Sequence, residues 1–340
     1  MATSEEALIA RIVELFGQPD AIVGIGDDGA VVRAPEREVV TTDLLIEGID
    51  FTRAIPLRLV AAKSLSANLS DLAAMGAKAR RFVMSLGIPA DLLESFDPFL
   101  EGMAAAAKRW RVELVGGDLS RARDLTISIT AFGELAPGVQ PLTRSGARSG
   151  EGVFVSRPLG GAAAGLTLFA RGWTLDPSGG AEPPGDLPAS PGYAHRELAA
   201  SVLRQHAAPE PELELGFCLA ATGEVTSCID VSDGLSTDLD RICRASGLGA
   251  LVEWERVPRF PDLERCGLPL GIDVERCVLH GGEELALLFT SRLSESELSA
   301  RAHRPVYRIG RMIEGEGVAL QRGEVSEPLP PRGFDHFAAQ

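Results

Sequence analysis

Apolar residues recur at helical spacing over residues 4–16, where Ile9, Ile12, Val13 and Phe16 share one face behind an N-cap at Thr3 or Ser4. Gly17 and Pro19 end that segment. The same period predicts a helix over 56–75, with Leu65, Leu69, Leu72 and Met75 turned to a core and Gly76 as its C-cap. Between them lie a glycine-rich loop and strand at 24–32 and a β-branched strand at 39–46. Strands at 81–87, 111–115 and 125–134, and a long helix over 92–110, complete a first half that alternates strand and helix. The Pro/Gly/Ser-rich stretch 137–152 marks a domain boundary, giving units 1–148 and 149–340. The second half predicts strands at 153–156, ending near 230, and at 251–254 and 285–289, and helices from 160 and over 194–206, 212–222 and 235–245. Residues 176–192, rich in Pro, Gly and acids, predict an exposed, mobile loop. The pattern is that of an α/β or α+β chain in two domains.

Composition narrows the chemistry. With 45% hydrophobic and 24% charged residues, the 340-residue chain is an ordinary globular sequence. Its formal net charge of −15 argues against nucleic-acid binding, and an acidic protein that binds phosphates needs a cation, most simply Mg²⁺. The five cysteines form no C-x-x-C pair and suggest neither a zinc site nor a disulfide framework. No apolar run reaches 18 residues and the start lacks a cationic, apolar leader, so the expectation is a cytoplasmic protein without membrane contact.

Aspartates then stand out by position. Gly24-x-Gly26-x-x-Gly29 matches the dinucleotide fingerprint in letters only, because an apolar β-branched segment follows instead of a helix. Its variable positions, Asp27 and Asp28, would repel a pyrophosphate unless a divalent cation lay between. Thr41-Thr42-Asp43, Asp71, Gly116-Gly117-Asp118 and Asp230-Val-Ser232-Asp233 recur at strand or helix ends, where α/β folds gather ligands. All offer the hard oxygens that Mg²⁺ prefers, usually alongside substrate phosphates. Arg144, in a basic-punctuated linker, is suited to clamping a phosphate. His280-Gly-Gly-Glu-Glu284 is a glycine turn carrying two acids. There is no Walker A pattern, no protein-kinase signature set, no H-E-x-x-H and no G-x-S-x-G.

In combination and in order, these motifs resemble the thiamine-monophosphate kinase family. The resemblance is carried by Gly24-Ile-Gly-Asp-Asp-Gly-Ala, Thr41-Thr-Asp with Glu47-Gly48 and Phe51, Asn68-Leu-Ser-Asp-Leu-Ala-Ala-Met-Gly-Ala77 and Gly116-Gly-Asp118. It continues through Arg144-Ser-Gly-Ala147, Asp230-Val-Ser-Asp-Gly-Leu235, Gly281-Gly-Glu283 and Gly333-Phe-Asp-His-Phe337. It implies ATP-dependent phosphorylation of thiamine monophosphate with several Mg²⁺ ions, and a homodimer whose N-terminal domains pair while each C-terminal α/β domain completes a site. The metal ligands it implies are Asp28, Thr41, Thr42, Asp43, Asp71, Asp118, Asp230 and Asp233, with Asp71, Asp43, Asp118 and Asp230 central to catalysis. Gly117, Asp118, Arg144 and Ser232 are the implied ATP contacts, and Asp50, Glu283 and Phe334 the acceptor side. Three departures fall on that acceptor side: Asp50 in place of the family's usual His, Gly282-Glu-Glu-Leu-Ala-Leu287 in place of Gly-Glu-Asp-Tyr-Glu-Leu, and Pro331 in place of an aromatic residue. They leave open a related kinase or synthetase with another acceptor, or a nucleotide-binding relative without turnover. A phosphate monoester, with a second pKa of about 6, is already a dianionic nucleophile at neutral pH, so no general base is required. Catalysis would then be positioning plus electrostatics.

Overall fold

The computed structural model describes residues 5–25, 29–176, 179–185 and 193–334. The first half contains α1 (Glu5–Phe16), β1 (Glu38–Ile46), α2 (Leu57–Ala74), β2 (Lys78–Ile88), α3 (Asp97–Trp110), β3 (Glu113–Arg121) and β4 (Thr126–Glu134). The second contains β5 (Gly152–Val155), α4 (Gly161–Ala170), β6 (Thr174–Leu175), β7 (Ala181–Glu182), α5 (Tyr193–Ala207), α6 (Leu213–Thr222), β8 (Val225–Asp230), α7 (Leu235–Ser246) and β9 (Gly249–Glu253). It closes with α8 (Leu263–Leu270), α9 (Val274–His280), β10 (Leu287–Ser291), α10 (Glu295–Ala302), β11 (Tyr307–Ile313), β12 (Gly317–Arg322) and β13 (Val325–Pro328).

Each half builds its own mixed sheet. The first has the order β1-β4-β2-β3, antiparallel except for the parallel β2–β3 pair. The second runs β13-β12-β9-β11-β5-β10-β8, antiparallel except for β12–β9. Strand alternation sets the first sheet's two faces: Ile127, Ile129 and Ala131 of β4 are buried against helices, whereas Val40 and Leu44 of β1 lie more than half exposed on the outer face. Among the described residues no helix is long and apolar enough to cross a membrane.

The 18-residue α2 is the shared wall between the halves. An amphipathic helix with one core face was expected; instead it is buried nearly all round, its polar Lys63, Ser64, Ser66, Asn68 and Ser70 as deeply as Leu65, Leu69 and Leu72. The reason is that the second half covers the side left open by the first. A Cβ at Gly216 of α6 would lie 2.0 Å from the Ala73 carbonyl oxygen, so the two helices meet at backbone contact. The helix ends in a Schellman turn: the N–H of Ala77 donates to the Leu72 carbonyl and that of Gly76 to the Ala73 carbonyl, with Gly76 at φ 72°.

Other boundaries differ from the sequence reading. The expected helix over 92–110 is a short 3₁₀ turn, Leu93–Ser95, followed by α3, with Pro98 in its first turn. Arg111 is the left-handed cap of α3, so β3 starts at Glu113 and runs on through Gly116, Gly117 and Asp118 rather than ending before them. Leu285 is also left-handed, and its strand begins at Leu287. Between 176 and 192, the described residues include β7, which pairs with β6; Asp28, Asp27 and His336 lie outside the described residues.

Candidate active site

Three carboxylates from both halves converge on α2. Asp43 points inward from β1, where its own N–H donates to Asn68 Oδ1 of α2 at 3.2 Å. Asp71 accepts the Thr41 hydroxyl at 2.5 Å. Its neighbour Ser70 donates to Asp230, at the end of β8, at 2.7 Å. Adjacent residues of one helix therefore face the two sheets, Asp71 toward the first and Ser70 toward the second. Burial, reinforced by the Asp71 and Asp50 charges, pushes the Asp43 carboxyl up to about 6. Burial likewise raises Asp71, against the pull of Thr41 and Arg144. Asp230 is raised most strongly, by burial first and then by Asp71, with Asp238 and Asp43 adding to it and the Ser70 hydrogen bond opposing. These groups feel one another as like charges in a poorly solvated place, which is a functional-site signature.

The loop after β8 supplies the second wall. Asp238, in the first turn of α7, accepts the N–H groups of Asp233 and Gly234, both at 3.0 Å. Arg241 bridges Asp238 at 2.7 Å and Asp233 at 2.5 Å, so the Asp233 carboxylate is already charge-matched. Burial pushes Asp238 up to about 7 despite Arg241. The Ser232 carbonyl accepts the Glu283 N–H at 2.8 Å, and the Asp233 carbonyl accepts that of Phe334 at 3.2 Å. Arg144 rides on an exposed loop, anchored where the Thr143 carbonyl accepts the Cys228 N–H at 2.8 Å; its charge is felt at Asp71.

Several expected residues lie elsewhere. Thr42 is on the outer face of the sheet, its hydroxyl donating to the Ile129 carbonyl at 3.0 Å, so the structure does not bring it to Asp43. Asp118 aligns through Ser85 and Ser128 with Leu44, also on the outer face, and three strands away from β1, roughly 14 Å at normal strand spacing. Gly117 has an intrachain reason to be glycine, because a Cβ there would sit 2.0 Å from the Met84 carbonyl oxygen. Asp50 accepts the Ile46 N–H at 2.7 Å and closes the turn after β1. Glu284, expected only as part of a glycine turn, caps α4 by accepting the N–H groups of Gly160 and Ala162, both at 2.9 Å, and burial pushes it up to about 7.

Glu283 is held by residues that sequence reasoning passed over. Its carboxylate meets Lys63 Nζ at 2.7 Å and His206 Nδ1 at 2.9 Å. Lys63 sits within α2, where a cation inside the Val60–Ser66 run of small and apolar residues was the available signal. Asn68, Ser70, Asp238 and Arg241 were missed too: the partners of Asn68 and Ser70 lie 25 and 160 residues away, and Asp238 and Arg241 follow Asp233 in a helix turn that reads as ordinary charged surface.

Hard oxygen donors that burial has left raised in pKa suit a divalent cation. Among the described residues no group of three His, Cys, Asp or Glu side chains is placed to hold a metal ion by itself; Mg²⁺ usually binds through one or two carboxylates together with substrate phosphates.

Known proteins point the same way. Family models for the AIR synthase related protein match the N-terminal domain at residues 26–135 and the C-terminal domain at 190–323. Thiamine-monophosphate kinase of Mycobacterium tuberculosis is 35% identical over 94% of this chain and 88% of its own length. That of Escherichia coli K12 is 32% identical over 99% of both chains. The crystal structure of the Stenotrophomonas maltophilia thiamine-monophosphate kinase superposes with a TM-score of 0.77 at 32% identity, covering 94% of this chain and 98% of that one. AaThiL complexed with AMPPCP and TMP superposes with a TM-score of 0.73 at 28% identity, over 98% and 97% of the two chains.

Proposed function

The chain belongs to the thiamine-monophosphate kinase family, and from that premise we propose that the Asp43–Asp71–Asp230 cluster is its phosphoryl-transfer centre. It is a kinase that phosphorylates thiamine monophosphate with ATP, giving thiamine diphosphate and ADP. A phosphate oxygen of the acceptor attacks the γ-phosphorus as the bond to the β-γ bridging oxygen breaks, and no proton need be removed. Mg²⁺ would neutralise charge on the phosphates when bound. The chain's own part is to hold the carboxylates that receive it: Asp71 oriented by Thr41, Asp230 by Ser70, and Asp43 beside Asp71. Asp28 and Asp233 belong to the same metal set by family resemblance. Arg144 offers a fixed positive charge to the γ-phosphoryl group, Gly117, Asp118 and Ser232 are assigned to ATP, and Asp50, Glu283 and Phe334 to the acceptor.

The cluster's electrostatics carry this reading. Three mutually repelling carboxylates held at a domain junction cost stability, and a bound cation with polyphosphate removes that cost. ADP release from Mg-ATP tests it: stimulation by thiamine monophosphate and loss on chelation are expected, and release indifferent to thiamine monophosphate would refute it.

The working unit in this reading is a homodimer paired through residues 1–148, with residues 149–340 completing each site. Both β1 and β3 are open edges, and the outer face shows Val40 at 55% and Leu44 at 54% exposure. Edge pairing of β3 with β1 of a second copy would bring Asp118 of the partner subunit to the strand that carries Asp43, an edge that Asp118 of the same chain does not reach.

A further inference from the structure

Lys63, His206 and Glu283 form a closed triangle across the domain junction. Lys63 on α2 and His206 on α5 are 2% and 1% exposed, whereas a third of the Glu283 side chain remains open. The Lys63 ammonium forms an ion pair with Glu283 Oε1 at 2.7 Å and faces His206 Nε2 at 3.2 Å. The other ring nitrogen, Nδ1, faces Glu283 Oε2 at 2.9 Å. Facing an ammonium, which can only donate, Nε2 is the acceptor, so the ring is the neutral Nδ1–H tautomer. Desolvation also favours neutral His206.

The backbone adds a second observation. Glu283 is left-handed at φ 61° and Leu285 at φ 49°, a conformation that side-chain-bearing residues rarely adopt. The Glu283 N–H is held by the Ser232 carbonyl and the Leu285 N–H by the Val231 carbonyl, so this loop lies against the one that carries Asp233. Its partly open carboxylate is held by two groups on the buried side, Lys63 at Oε1 and His206 at Oε2.

We propose that Lys63 and His206 are positioning residues for the acceptor: they fix the Glu283 carboxylate in one orientation toward the bound thiamine group. This rests on the placement of Glu283 on the acceptor side of the proposed kinase site. Neither residue touches the nucleotide cluster, so they set acceptor affinity and leave ATP affinity alone. A clamped anion is a fixed counter-charge for a cationic heteroaromatic ring such as thiazolium, with no reorganisation on binding.

The test has two readouts on His206→Ala, His206→Gln, Lys63→Met and Lys63→Met/Glu283→Gln. The last removes both charges and keeps the set informative if a lone buried charge prevents folding. Hydrogen exchange on the full-length protein without acceptor reports positioning. Amides 283 and 285 should exchange at least tenfold faster in His206→Ala and Lys63→Met, and near the wild-type rate in His206→Gln, whose amide can both accept and donate. Steady-state ADP release should show KM for thiamine monophosphate at least tenfold higher in His206→Ala, Lys63→Met and the double variant, with KM for ATP within twofold. Unchanged exchange, or an unchanged acceptor KM in folded variants, overturns the proposal, as does a matched rise in both KM values. Wild-type release indifferent to thiamine monophosphate would instead sink the kinase reading, and exchange would still decide the clamp.

Discussion

Asp43→Asn should move stability and activity in opposite directions. The Asp43 carboxyl lies at about 6 against an ordinary 3.8, first through burial and then through the Asp71 and Asp50 charges. A rise of about 2 units corresponds to roughly 3 kcal/mol against the ionised form. Because the folded value is the higher one, the penalty is absent below about pH 4, grows as pH rises and is complete above about 6. Asparagine keeps the shape and removes the charge, so the variant should be more stable by up to about 3 kcal/mol at pH 7.5 and unchanged at pH 4. At roughly 2.1 cal/mol/K per residue, 340 residues give an unfolding entropy of about 0.7 kcal/mol/K, so the midpoint should rise by about 4 °C. Turnover should fall by about 10² or more, as for loss of other preorganised electrostatic groups. Thermal scans without Mg²⁺ at the two pH values, alongside ADP release, measure both. A lower midpoint at pH 7.5, or near-normal turnover, would refute the assignment of Asp43 to a cation-dependent site.

Three further outcomes are expected. Equal amounts of Asp43→Asn and Asp118→Ala subunits, each nearly inactive alone, should recover about a quarter of wild-type turnover on mixing if Asp118 serves the partner's site, since half the dimers would carry one intact site; no recovery would place both residues in one chain's site. Glu284→Ala strips the α4 N-terminus of its buried acceptor and should cost about 2–3 kcal/mol in urea unfolding, while both KM values stay put. Gly117→Ala forces a Cβ against the Met84 carbonyl and should destabilise the sheet by about 2 kcal/mol or more, so its loss of activity should track loss of folded protein.

The sequence pattern located most helices and strands because period and punctuation agree there, as at β1, α2 and β4. It failed where chemistry overrides period. Pro98 divides the 92–110 helix, the left-handed Arg111 delays β3, and α2 looks amphipathic only until a second domain covers its polar side. Although β1 and β3 run on through Asp43 and Asp118 instead of ending at them, the aspartates were legible because a carboxylate beside apolar or glycine runs lacks a packing reason to be there. Their grouping was not: strand alternation sends Thr42 away from Thr41 and Asp43, and sheet order leaves Asp118 at the opposite edge. The supporting residues were hidden for a related reason, since Lys63 and His206 are 143 residues apart and nothing local joins them.

The encasement of α2 makes it a ruler. Lys63 and Asp71 are eight residues apart on it, about 12 Å of axial rise. The gap between the carboxylate proposed to face the nucleotide and the ammonium that holds Glu283 is therefore fixed by helix pitch. With no free face, α2 cannot slide, kink or take an insertion without breaking contact with both sheets. The loop at 281–286 is pinned as well, through the Glu283 pairs and the Glu284 cap of α4, so both jaws of this caliper are set by the fold and the accepted molecule must match their span.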